Sequence, residues 1–108
     1  MINLELLDLI DKRCIKLEVT SKNKQDLFDE MIDLLYDNDK IYNKEGFKEG
    51  ILAREAQSST GLGFNLAIPH TKNKEVKEPS IAIGFSKEGI DYDSLDGEPV
   101  NLVFMIAA

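Results

Sequence analysis

Val100-Asn101-Leu102-Val103-Phe104-Met105-Ile106-Ala107 is apolar at every position except Asn101. A run this short, with β-branched and aromatic members, reads as a strand. Val100, Leu102, Phe104 and Ile106 share one face; Val103, Met105 and Ala107 share the other. A strand apolar on both faces expects cover on both sides, as at the centre of a layered fold.

Working outward, Lys87 to Pro99 holds turn signals, including Asp96-Gly97. Before it, Ser80 to Phe85 alternates as a strand, with Ile81, Ile83 and Phe85 on one side. Asn65 to Ile68 reads as a short strand stopped by Pro69. Nearer the N-terminus, Cys14 to Val19 alternates, with Ile15, Leu17 and Val19 on one face. Two helices lie between. One is capped by Thr20 or Ser21 and runs from about Lys22 to Tyr36 or Asp37, with Leu27, Phe28, Met31, Ile32, Leu34 and Leu35 at the 3.6 period. The other starts after Asn43 and runs through about Ala56. Asn3 to Ile10 has a short helical pattern. Alternating strands and helices predict an α/β fold with a mixed, partly parallel sheet flanked by helices.

The 108 residues form one domain, 1–108, with no repeat or linker. The formal net charge of -7 argues against nucleic acid and against direct contact with anionic membranes. It suits steering toward a basic protein partner, or simply solubility. No apolar run nears the roughly 20 residues of a membrane span. A single cysteine, Cys14, and no secretory signal point to the cytoplasm. One histidine and one cysteine without paired spacing give no metal site. Asp91, Asp93, Asp96 and Glu98 lack the glycine and glutamate of a calcium loop and read as a solvated turn. The acidic positions Asp26, Asp29, Glu30, Asp33 and Asp37 read as the wet side of the first helix.

Three features carry chemistry. His70 is the only histidine and follows Ala67-Ile68-Pro69, so a proline holds it on a stiff turn at a sheet edge. A neutral imidazole is a competent nucleophile toward phosphorus; the plainer alternative is a loop histidine without a role. Arg54 returns to within roughly 20° of Phe47 on the helix, which puts a guanidinium on the apolar stripe. It either snorkels to water or clamps an anion with its planar fork. The segment Ser58-Ser59-Thr60-Gly61-Leu62-Gly63 offers hydroxyls at Ser58, Ser59 and Thr60 and converging N–H groups around Gly61 and Gly63. Its plainer reading is a helix-to-strand connection. It lacks the Gly-Lys-Ser/Thr ending of a nucleotide loop.

In order, Arg54-Glu55, Ser59-Thr60-Gly61-Leu62-Gly63, Ala67-Ile68-Pro69-His70 and Leu95-Asp96-Gly97-Glu98-Pro99-Val100 resemble the fructose/mannitol type of enzyme IIA. That family belongs to the phosphoenolpyruvate-dependent sugar phosphotransferase system. The amphipathic helix with Lys24, Leu27 and Leu34-Leu35 fits as well. The resemblance implies that His70 accepts a phosphoryl group from the histidine-containing phosphocarrier protein and passes it to a cysteine of a IIB partner. It implies Arg54 as the charge clamp, and no metal or organic cofactor. The same fold occurs in nitrogen-regulatory and transcription-regulatory relatives, where phosphorylation of His70 would be a signal.

In the family the domain continues past the strand matching Val100 to Ala107, and many members carry a second histidine there. This chain stops at Ala108, so it reads as an incomplete domain. The expectation is an exposed apolar patch and self-association through the last strand.

Overall fold

The computed structural model describes residues 6–108. A short 3-10 turn, Leu6–Leu9, leads into β1 (Ile10–Lys16). There follow α1 (Lys24–Asp37), α2 (Lys44–Glu55), β2 (Gly61–Gly63), β3 (Leu66–Ala67), β4 (His70–Thr71), β5 (Ser80–Ile90) and β6 (Val100–Ala107). The expected helical pattern over Asn3 to Ile10 falls partly outside the described residues; inside them it is the 3-10 turn, and Ile10 already belongs to the strand.

All six strands form one sheet in the order β1-β5-β6-β3-β2, with β4 also paired to β6. β6 is central: antiparallel to β5, parallel to β3 and β4. β1 runs parallel to β5. The sheet is therefore mixed, as its sequence pattern predicts.

Both helices start on asparagine. Asn23 accepts from the Asp26 N–H at 2.9 Å, and Asn43 accepts from the Gly46 N–H at 2.8 Å. The first cap corrects the expectation of Thr20 or Ser21. Those residues instead donate to Glu30, through Ser21 N at 3.0 Å and Thr20 N at 3.2 Å. Glu30 is thus half-buried rather than part of a wet acidic face.

The first strand also sits earlier than its alternation suggests. Cys14 is buried and Leu17 is 73% exposed, because the chain leaves the sheet after Lys16 to wrap over Glu30. β5 runs on through Ile90, where a turn was expected. Its Lys87-Glu88-Gly89 segment forms a register shift, with Gly89 at φ +93°.

The core lies between the helices and one sheet face. Across β5 and β6, Ala82 pairs Met105 and Gly84 pairs Val103 on that face. Leu27, Phe28, Met31, Phe47 and Ile51 close it from the helices. Gly84 is required there: a β-carbon would meet Met31 Sδ at 2.8 Å. The opposite face carries Ile81, Ile83, Phe85, Leu102, Phe104 and Ile106. Phe85 is 43% exposed, and Ile83, Leu102, Phe104 and Ile106 are only half-buried. Among the described residues, the helices cover one face, and the other face is only partly shielded.

Candidate functional site

His70 is not on a loop after a strand; it is the first residue of β4, paired in register with Ile106 of β6. Register places His70 on the same strand side as Ile106. Its neighbour Thr71 faces α2, where a β-carbon on Gly50 would meet Thr71 Oγ1 at 2.6 Å. Pro69 is buried, and its carbonyl accepts the Ile106 N–H at 3.0 Å. The turn before His70 is fixed from both sides.

His70 Nδ1 lies 2.7 Å from the Ile68 carbonyl oxygen. A carbonyl can only accept, so Nδ1 carries the proton. Nε2 is then the nitrogen with the free lone pair. The bond to Ile68 also fixes the ring plane.

Arg54 sits in the last turn of α2, where a cation complements the helix dipole. Its Nη1 donates to the Ser58 carbonyl at 2.9 Å. Among the described residues no hydrogen bond joins Arg54 to His70.

The Ser58 to Gly63 segment differs from an open anion cradle. Thr60 is 2% exposed, its hydroxyl donates to Glu55, and its N–H lies 3.3 Å from both Glu55 oxygens. The Gly61 N–H donates to Ser59 Oγ at 3.1 Å. Gly61 is needed for close approach, since a β-carbon would come within 2.9 Å of Ser94 Cα. Gly63, at φ +104°, lies against the Asp96 carboxylate, which disfavours an anion. Phe64 and Asn65, at φ 56° and 64°, close the β2–β3 hairpin, the pairing of signs found in type I′ turns. Asp96 accepts from the Phe64 N–H at 3.2 Å, so the acidic turn fastens the hairpin. Thr60, Gly61 and Gly63 are thus engaged in folding this segment. Ser59 is half-buried, and its hydroxyl proton remains for a ligand.

Glu55 is the participant that sequence reasoning passes over. Its side chain is 7% exposed and accepts from Thr60, from Tyr92 Oη at 3.2 Å and from Lys24 Nζ at 3.0 Å. The signal was present: a carboxylate ending a helix opposes the dipole and needs compensating donors. Burial pushes its carboxyl up, but the bonds from Thr60 and Lys24 hold it below the usual range.

The family described as "Phosphoenolpyruvate-dependent sugar phosphotransferase system, EIIA 2" matches residues 8–108. The chain belongs to this enzyme IIA family. It is 50% identical over 105 residues to the PTS system fructose-specific EIIABC component of Bacillus subtilis, covering 97% of this chain and 16% of that protein. It is 36% identical over 92 residues to the PTS system fructose-specific EIIA component of Haloferax volcanii, covering 85% of this chain and 60% of that protein. The chain therefore spans less than two thirds of either relative. The crystal structure of nitrogen regulatory protein IIA-Ntr from Neisseria meningitidis superposes with TM-score 0.84 at 32% identity, covering 93% of this enzyme IIA chain and 68% of that one.

Proposed function

We propose that this enzyme IIA chain is a phosphoryl relay, with His70 Nε2 as the atom that carries the group. The observation behind the reading is the Nδ1 contact to the Ile68 carbonyl, because it leaves one defined nucleophile. Nε2 attacks the phosphorus of the phosphorylated phosphocarrier; the new N–P bond forms as the donor's N–P bond breaks and the donor nitrogen keeps its electron pair. In the second step a IIB thiolate attacks the same phosphorus, and Nε2 recovers its lone pair. Nδ1 keeps its proton throughout.

Positioning and charge compensation dominate such transfers. Arg54 has N–H groups left after its bond to Ser58, and Ser59 has one hydroxyl proton. Together they stabilise the equatorial oxygens without caging the phosphohistidine. The IIB partner draws support from the Bacillus relative, whose name joins A, B and C components in one protein. No helix among the described residues is long and apolar enough to cross a membrane, in keeping with a cytoplasmic relay that meets its membrane partner through IIB. The sheet face with exposed Phe85 and half-buried Phe104 supports self-association of the 108-residue chain.

The likeness to IIA-Ntr favours a second reading, in which phosphorylation of His70 is a signal. One experiment tests both. The chain is incubated with phosphoenolpyruvate, enzyme I and the phosphocarrier, and its intact mass is read before and after adding IIB. Gain of one phosphoryl group followed by its loss to IIB supports the relay. Gain without transfer supports the signal. No gain overturns both.

A further inference from the structure

We infer that Glu55 is the positioning residue of this site, holding Arg54 and the His70 tautomer in place through Thr60. The inference rests on the relay reading for its catalytic meaning, and on geometry for everything else. Each group around Glu55 is a donor: the Thr60 hydroxyl and N–H, the Tyr92 hydroxyl and the Lys24 ammonium. Tyr92 Oη also lies 2.7 Å from Thr60 Oγ1. Since the Thr60 proton goes to Glu55, the Tyr92 proton points to Thr60 and Glu55 together. Tyr92 itself is pinned, edge-on to Phe28 at 5.9 Å and beneath Lys24 Nζ at 4.6 Å from its ring centre.

From Thr60 the order passes to both functional side chains. The Thr60 carbonyl accepts the Ile68 N–H at 3.0 Å, and the Ile68 carbonyl faces His70 Nδ1 at 2.7 Å. Through Thr60 the carboxylate therefore anchors Ile68, the residue whose carbonyl selects the tautomer. On the other side, Ser58 lies just before Thr60 and offers its carbonyl to Arg54. Arg54 precedes Glu55 on the same helical turn. One buried carboxylate is thus linked, through Thr60, to the segments that hold Arg54 and His70.

A merely structural role would lower Tm and leave the imidazole alone, so the test reads the imidazole. His70 is the only histidine, and the chain with 15N-labelled histidine gives a single pair of ring-nitrogen signals. The variants are Glu55→Gln, Thr60→Val, which keeps shape and loses the hydroxyl, and Thr60→Ser, which keeps the hydroxyl. The parent and Thr60→Ser are expected to hold the Nδ1–H tautomer. Glu55→Gln and Thr60→Val are expected to mix in the Nε2–H form, and to lower kcat for phosphoryl transfer about tenfold or more with KM for the phosphocarrier unchanged. An unchanged tautomer in Thr60→Val, or in Glu55→Gln, overturns the inference whatever happens to Tm. Failure of the parent to accept phosphate would sink the relay reading alone, because the tautomer comparison needs no transfer.

Discussion

The Nδ1 atom of His70 sits 2.7 Å from the carbonyl oxygen of Ile68, two residues earlier in the chain. A ring held this way can use only Nε2 toward phosphorus. His70→Ala is therefore expected to abolish acid-labile phosphorylation. In the parent, 15N spectra of the phosphorylated chain should place phosphorus on Nε2. Labelling of the alanine variant at the parental rate would remove His70 from the site.

Arg54 tests the charge clamp. Lysine keeps the charge and loses the planar fork. Arg54→Lys should slow transfer, and Arg54→Ala should slow it more. Losing one charge-assisted contact of about 1.5–3 kcal/mol corresponds to roughly 10- to 150-fold in rate. Stopped-flow transfer from the phosphocarrier measures it; parental rates for both variants would make Arg54 a packing residue at the helix end.

Glu30 predicts an acid limb in stability. Burial raises its carboxyl, but Lys16, Ser21 and the N–H groups of Thr20 and Ser21 overcome that and hold it from 4.5 down to about 2. A lowered carboxyl contributes stability that is full above its unfolded value and is lost as pH falls through the folded value. The loss should therefore fall between about pH 4.5 and 2. Lys16 is 40% exposed, so solvent screening limits the share of this ion pair to about 1 kcal/mol at most. Glu30→Gln should flatten that limb in urea titrations; an identical limb would mean other carboxylates carry it.

The sequence made the mixed sheet legible because strong periodicities sit on its main elements. β6 is apolar almost throughout, and α1 buries Leu27, Phe28, Met31, Ile32 and Leu35 as its period predicts. The N-terminal strand spans Ile10–Lys16 although Leu17 and Val19 continue the alternation of Ile15: Leu17 is exposed, Val19 keeps one bond to the Phe85 carbonyl at 2.9 Å, and Thr20 and Ser21 turn to Glu30. At the candidate site, His70 and Arg54 stand out by residue type. The role of the glycines does not, since whether a glycine exposes an N–H or makes room depends on what packs against it. Here Ser94 and Asp96 come from a turn more than thirty residues away.

That distinction makes Gly61 informative. An alanine there would drive its β-carbon to 2.9 Å from Ser94 Cα, which is backbone and cannot step aside. Gly61→Ala should cost about 1–3 kcal/mol of stability, the range for overpacking. Its effect on transfer should follow the loss of folded protein, as read by denaturation and activity on the same samples. A transfer defect in fully folded variant would return Gly61 to the anion site.

The last expectation concerns the sheet face opposite the helices. Ile83 pairs Phe104 and Phe85 pairs Leu102 there, and among the described residues Phe85 is exposed and the other three are half-buried. Apolar area of this kind is removed from water when two copies bring the faces together, at about 25 cal/mol per Å² buried. The 108-residue chain should therefore run as a dimer or larger assembly in light scattering coupled to size exclusion. Phe85→Lys keeps the buried face intact, because Phe85 is 43% exposed, and puts a charge in the middle of the contact. It should return the chain to a monomer with little change in Tm. A parent that stays monomeric across the micromolar range, without binding an apolar dye, would show that this face tolerates water unaided.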